Sequence, residues 1–223
     1  MSKSKYEYGW ITFLATFTMG AIDAYTYIAH DAVFASAQTG NMIVFAVKLF
    51  DGGISRAWVN IPVWLGFALG CLMAQSMLTA LNERPTMRER YGRLMLLVVA
   101  ILLVVAVGQN WFNPYVLIVI LGWLSGYELT TFRQVKGSAI NNGIMTGNTK
   151  NLMTALYLWL YGHDQKAKHQ FVWTGLIMLM FIFGAYISAM ICTWVSTKLI
   201  LWLCLAINAL GLIGIWLSKE RME

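Results

Sequence analysis

Charge is what this sequence has least of: Asp, Glu, Lys and Arg together make up 12% of its 223 residues, about half the share of an ordinary soluble domain. A chain so poor in charge has little with which to cover a water-facing exterior, and 59% of it is hydrophobic, which argues against a soluble globular protein. Cysteine is scarce as well. Cys71, Cys192 and Cys204 form no Cys-x-x-Cys pair and lie inside apolar stretches, so neither a disulfide framework nor a zinc site is indicated, and they read as packing residues. The three histidines, His30, His163 and His169, lack metal-ligand spacing and read as solvated residues at segment ends or in loops. No nucleophile elbow, phosphate loop or zincin pattern is present, which removes support for a hydrolase or a nucleotide-driven pump. Only 3 prolines among 19 glycines and 14% aromatic residues exclude a low-complexity or disordered chain. The net charge of +6 comes from short basic clusters between apolar runs and not from a continuous stripe. Nucleic acid is therefore not an expected partner, and the charges have a topological meaning.

What the sequence does have is long apolar runs. Six are long enough to cross a bilayer as helices, the conformation that satisfies every backbone group within lipid: Trp10–Ala29, Val59–Leu81, Leu94–Phe112, Pro114–Phe132, Phe171–Val195 and Leu199–Leu217. Two shorter stretches, Ala35–Phe50 and Ile144–Tyr161, carry internal lysines (Lys48, Lys150), and each contains the tripeptide Thr-Gly-Asn near its start. If both are re-entrant, Lys3, Lys5, Arg84, Arg88, Arg90, Arg93, Arg133, Lys136, Lys166, Lys168, Lys219 and Arg221 face one side, leaving Lys48, Arg56 and Lys198 opposite. If both cross fully, this asymmetry nearly vanishes. The positive-inside rule selects the first topology, with both termini cytoplasmic and the chain in a bacterial inner membrane. Lys3 and Lys5 ahead of an apolar run, with Ala35-Ser36-Ala37 beyond it, imitate a signal peptide. The run is too long for one, contains Asp23 and leads into further membrane segments.

The two tripeptides, Thr39-Gly40-Asn41 and Thr146-Gly147-Asn148, occupy the same place in a longer pattern. Gly20 precedes the first and Gly126 the second at nearly equal distance, and Val63-Trp64-Leu65-Gly66 is answered downstream by Val172-Trp173-Thr174-Gly175. The pattern reads as a duplication within one membrane domain. One unit covers about residues 10–81, an odd linking helix about 94–112, a second unit about 114–195 and a final helix about 199–217. An odd number of crossings between the units inverts the second, and inverted repeats interrupted by short Gly-containing segments are a pointer to a transport site near the midplane. The expected fold is thus an all-α membrane protein of six transmembrane helices plus two re-entrant half-helices in an inverted-topology repeat.

Three motifs carry a resemblance: Gly20-x-x-Asp23-Ala24, Gln38-Thr39-Gly40-Asn41, and Met145-Thr146-Gly147-x-x-x-Asn151-Leu152. In their order and spacing the chain resembles the YoaK-type family of small bacterial polytopic membrane proteins. The likeness covers most of the chain and implies architecture rather than an activity. The second unit departs from the family pattern, with Gly126-Tyr127-Glu128-Leu129-Thr130 in place of the more usual Gly-Leu-Gln-Asn-Ala, so a role for that Gln-Asn pair does not transfer.

The expected binding residues are Gln38, Thr39, Gly40 and Asn41 with Thr146, Gly147 and Asn148. At the start of a short helix, Thr or Asn can cap free amides, glycine lets a ligand approach the backbone, and the helix end attracts an anion or an electronegative edge. The alternative is that these side chains only satisfy one another where the chain turns. Asp23 and Glu128 lie inside apolar segments, where a carboxylate normally faces a cavity, pairs with a cation or holds a proton. Inverted symmetry would relate them, and Lys150 is a possible partner for either. They are the expected coupling or gating residues, with a fixed hydrogen bond or salt bridge as the structural reading. Gly66-x-x-x-Gly70 suits a homodimer face or packing within one chain. Three functions follow: a transporter or channel for a small polar or anionic solute, which is preferred and needs neither cofactor nor metal; a membrane-embedded enzyme using Asp23 and Glu128; and a scaffold without transport.

Overall fold

A computed structural model describes residues 8–81, 86–135, 138–139 and 143–218, and the fold is helical as expected. The helices are α1 (Gly9–Ala29), α2 (Gln38–Ala57), α3 (Ile61–Ala80), α4 (Met87–Gly108), α5 (Pro114–Thr131), α6 (Met145–Leu160), α7 (Gln165–Trp194) and α8 (Leu199–Leu217). One small departure is an antiparallel pair of two-residue strands, β1 (Gln134–Val135) and β2 (Ser138–Ala139), between α5 and α6. Two helices begin well ahead of their apolar runs because local caps extend them. Thr86 accepts a hydrogen bond from the Glu89 amide at 3.2 Å, and Asp164 accepts one from the Lys166 amide at 2.8 Å; each satisfies an amide that has no partner within its own helix.

Among the described residues four stretches are long and apolar enough to cross a membrane: Gln38–Ala80, Met87–Gly108, Gln165–Trp194 and Leu199–Leu217. The first is not one straight rod. Gly53 sits inside it at φ 69° and ψ −170°, a left-handed conformation that breaks the helix and that glycine adopts without a steric penalty. The helices α1 and α5, two of the six expected spans, fall outside this set. Each carries its acid and several hydroxyl residues, and both are interior helices, burying residues from Ile11 to Thr26 and from Leu117 to Thr131. The exterior is apolar: Leu65, Leu179 and Leu210 are each at least 60% exposed. An apolar exterior on apolar helices makes this a membrane protein. Of the charges in the topology argument, Lys3, Lys5, Arg84, Lys136, Lys219 and Arg221 lie outside the described residues.

Two tight helix pairs hold the interior, α1 on α7 and α3 on α5. Both depend on glycine. A Cβ added at Gly20 would stand 3.0 Å from the Phe181 carbonyl carbon and 3.1 Å from the Ala185 nitrogen. One added at Gly126 would stand 3.0 Å from the Phe67 carbonyl carbon and 3.1 Å from the Cys71 nitrogen. The reciprocal approaches match as well, Gly184 on Phe17 and Gly70 on Trp123. Each half of the chain therefore lends a helix to the other. Gly66 and Gly70 approach Val119 and Trp123 of α5, while Gly122 and Gly126 approach Val63 and Phe67 of α3, so the Gly66-x-x-x-Gly70 face is spent within the chain and is not free as a dimer face.

These contacts correct the sequence register. They pair Phe67-x-x-Gly70 with Phe181-x-x-Gly184, not Val63-Trp64-Leu65-Gly66 with Val172-Trp173-Thr174-Gly175. Gly175 does not approach a helix backbone at all, having only Leu152 Cδ1 at 3.7 Å from its added Cβ. Helix α8 closes the bundle against α4 and α1, where Asn208 donates to the Thr18 hydroxyl at 2.7 Å and Arg88 lies over the Trp216 ring.

Candidate functional site

Helices α2 and α6 begin toward each other across one cavity of about 410 Å³. Ser36, Ala37, Gln38, Thr39 and Gly40 line it from the first half, and Gly143, Ile144, Met145 and Thr146 from the second, with Phe67 and Phe181 completing the wall. The two phenylalanines are the residues whose carbonyls the matched glycines cross, so their positions follow from the same backbone contacts that join α1 to α7 and α3 to α5. Among the described residues no charged side chain lines the cavity. Its polar groups are hydroxyls, the Gln38 amide and the first-turn backbone.

The Thr-Gly-Asn tripeptides do not cap their helices as expected. The residues preceding the helices are Ala37 and Ile144, neither making a side-chain cap, and the tripeptides lie within the first turn. Asn41 instead turns back: its Nδ2 donates to the Phe34 carbonyl at 2.6 Å and to Gln38 Oε1 at 3.0 Å, while its Oδ1 accepts from the Phe34 amide at 2.8 Å. Buried and bonded in this way, Asn41 staples the loop before α2 to the helix. The first intrahelical bonds are made by the amides of Asn41 to Ala37 and of Asn148 to Ile144, at 3.2 and 3.3 Å. Of the amides ahead of them, that of Gln38 donates to the Ser36 carbonyl at 2.9 Å, while those of Thr39, Gly40, Thr146 and Gly147 belong to the first helical turn, whose N–H groups have no intrahelical partner.

Gln38, Thr39, Gly40 and Thr146 thus line the cavity, whereas Gly147 does not, and Asn41 and Asn148 are fully buried. Neither glycine of the tripeptides has a positive φ. Gly40 instead meets the Phe34 ring, whose Cδ2 would stand 3.1 Å from an added Cβ. Gln38 has its amide engaged, Nε2 donating to the Ala35 carbonyl at 2.9 Å. Thr39 and Thr146 are exposed, and their hydroxyls are the side-chain groups best placed to meet a solute.

Asp23 is buried at 4% exposure, and its two oxygens accept from Ser36: Oδ1 from the amide at 2.7 Å and Oδ2 from the hydroxyl at 2.6 Å. It touches the central cavity only through Ser36 and borders a second, adjoining pocket. Glu128 is fully buried on α5 and does not line the cavity. The two acids are not equivalent, because superposing Gly20 on Gly126 sets Asp23 against Leu129 and Glu128 against Ile22. They differ by about a quarter turn of helix, roughly 100° per residue. Lys150 is exposed. Among the described residues the one ion pair joins Lys48 to Asp31, so the expected partnership of Lys150 with either acid is not formed.

His30, expected to be solvated, is half-buried just past the end of α1, its Nε2 3.3 Å from the Tyr25 hydroxyl. Burial holds its imidazole below the ordinary value of 6.5. Among the described residues no group of His, Cys, Asp and Glu is arranged to hold a metal ion. Sequence reasoning missed Ser36, Ala37, Gly143, Ile144, Met145, Phe67 and Phe181. The signal for the phenylalanines was present as the two Phe-x-x-Gly patterns, obscured by a competing match a few residues away.

The chain belongs to the family described as "Protein of unknown function (DUF1275)", which matches residues 11–214. No curated protein matches it, and no solved structure does.

Proposed function

For this member of the DUF1275 family we propose transport: a transporter or channel in the bacterial inner membrane that binds a small polar or anionic solute between the two Thr-Gly-Asn turns. One observation carries the reading, namely that two helix starts and two phenylalanines from opposite halves of the chain surround a single cavity. First-turn amides and the Thr39 and Thr146 hydroxyls offer hydrogen-bond donors, and the helix ends add partial positive charge. The swapped pairing of α1 with α7 and α3 with α5 supports an inverted repeat. In this arrangement α1, α3, α4, α5, α7 and α8 cross the membrane, α2 and α6 re-enter it, and both termini are cytoplasmic. The likeness to YoaK-type proteins belongs to this proposal, as do the absence of a catalysed reaction and of a cofactor, a coupling role for Asp23, and a homodimer that would have to use a face other than Gly66-x-x-x-Gly70.

Purified protein in liposomes tests the function by osmotic swelling against glycerol, urea, formate and chloride. At least one solute is expected to enter faster than in protein-free liposomes, and Thr39→Trp or Thr146→Trp, which fill the cavity, are expected to reduce that rate at least tenfold while leaving the protein folded. Rates equal to protein-free liposomes for all four solutes would overturn the proposal. Topology is tested separately by Arg90→Cys in a background lacking the three native cysteines: labelling by an impermeant maleimide from outside the cell would restore eight crossings.

A further inference from the structure

Beside the central cavity lies a second pocket of about 630 Å³, formed between α1 (Ala24, Tyr27, Ile28) and α7 (Phe181, Ala185, Ala189). It shares Ala37 and Phe181 with the central cavity, so the two adjoin, with Phe181 and the residue before α2 as their common wall. Both volumes fall within the range of small-molecule sites, roughly 300–1,000 Å³. The outer margin is apolar and reaches the surface, Tyr27 being 51% and Ile28 45% exposed. On a membrane protein this is a pocket open sideways, toward lipid.

Its chemistry differs from that of its neighbour. Among the described residues Asp23 is the one charged residue lining it, and each carboxylate oxygen already accepts a hydrogen bond from Ser36, so the acid is satisfied within the chain without a cation in the pocket. Among the described residues the central cavity has donors and no charged side chain, and burying a net charge there without an opposing full charge is costly. Resting on the reading of the central cavity as a solute site, we infer that the paired cavities bind one neutral, single-chain amphiphile. Its hydroxyl or carbonyl head sits at Thr39 and Thr146, and its apolar tail lies between α1 and α7, reaching the site from the bilayer past Phe181. The polar floor and the apolar side pocket then serve two ends of the same molecule. Phe67, which is equivalent to Phe181 by packing and lines the central cavity but not the second pocket, supplies the internal control.

The test uses the full-length protein in nanodiscs with 1-octanol carrying a diazirine near its tail as photolabel, and mass spectrometry to locate adducts. Labelling is expected in residues 24–28 and 185–189, with excess 1-octanol protecting at least fivefold better than octanoate or octylamine. Ala189→Trp, and independently Ala24→Leu, should each reduce the protected labelling at least fivefold. Phe181→Ala should extend labelling to Thr39 or Thr146, and Phe67→Ala should not. Labelling spread over every lipid-facing helix without protection would mean that ordinary lipid fills the pocket, and it would overturn the inference. Protection by octanoate equal to that by octanol would do the same. Swelling rates separate this inference from the transport proposal. Flux blocked by Thr39→Trp but indifferent to Ala189→Trp, with no protected labelling, removes the amphiphile alone; protected labelling in a protein that passes none of the four solutes supports the site and removes the transport reading.

Discussion

The Asp23 carboxylate accepts both hydrogen bonds that Ser36 can donate, at 2.7 Å from its amide and 2.6 Å from its hydroxyl, so a residue within α1 fixes the segment that leads into α2. Ser36 lines the central cavity. The acid therefore acts on the cavity by holding its wall in place, and meets it only through Ser36.

Replacing Asp23 should separate these roles. Asp23→Ala leaves the Ser36 amide and hydroxyl buried without an acceptor, at a cost of about 1–3 kcal/mol for each such group. Asp23→Asn keeps an acceptor for the amide, and the Ser36 hydroxyl can turn to accept from the new amide nitrogen. Thermal unfolding in detergent should show a drop of several degrees for the alanine variant and a clearly smaller one for the asparagine variant. Equal Tm values for both variants would show that the paired hydrogen bonds do not hold the loop.

The matched glycines make a second prediction with its control built in. At Gly20 and Gly126 the nearest atoms to an added Cβ belong to the facing backbone, which cannot rotate away, so Gly20→Ala and Gly126→Ala must part their helices and should each cost about 1–3 kcal/mol. Gly175→Ala meets only a leucine methyl at 3.7 Å and should fall within about 0.5 kcal/mol of wild type. Monodisperse yield and Tm of the three variants measure the difference. A Gly175 variant as impaired as the other two would return the repeat to the register in which Gly66 matches Gly175.

Gly53 offers a purely conformational case. Its φ is 69° and nothing lies within 4 Å of an added Cβ, so substitution adds left-handed strain and no clash. Gly53→Ala should cost about 1–3 kcal/mol and Gly53→Asn as much, since ψ −170° places this residue in a region essentially reserved for glycine and outside the αL region that Asn tolerates. Finding the alanine variant as stable as wild type would mean that the break between α2 and α3 relaxes freely.

Within one tripeptide, Asn41 and Thr39 should behave oppositely. Asn41→Ala removes both bonds to the Phe34 backbone, and Asn41→Asp sets a carboxylate oxygen against the Phe34 carbonyl, so both should lower Tm. Thr39→Val removes an exposed hydroxyl and should leave Tm within about two degrees, since such surface changes are typically worth under about 0.5 kcal/mol, while slowing whichever solute the liposome assay shows to pass. Unchanged flux in Thr39→Val would take its hydroxyl out of the site.

Much of the helix plan was legible from the chain because hydrophobic run length is a local property: Leu199–Leu217 is recovered to the residue, and Pro114–Phe132 to within one. The errors came where local chemistry overrode hydropathy. Thr86 and Asp164 start helices through polar residues, so α4 and α7 begin before their apolar runs do. The two tripeptides advertised themselves through repetition, yet identity alone did not reveal that the threonines line the cavity while Asn41 braces a loop, since both side chains are polar and stand two residues apart on one helix.

From composition and periodicity alone follows the helical membrane character, and from the repeated Thr-Gly-Asn the expectation of two similar halves, because run length and motif depend on neighbouring residues and on the solvent the chain must meet. Which helix of one half lies against which helix of the other depends instead on glycines far apart in sequence permitting backbone contact. Only that tertiary packing decided that α1 joins α7 and α3 joins α5, that Phe67 and Phe181 face one cavity, and that Asp23 and Glu128 are not counterparts; a shift of one residue along a helix turns a side chain by about 100°, and no local pattern in this sequence specifies that rotation.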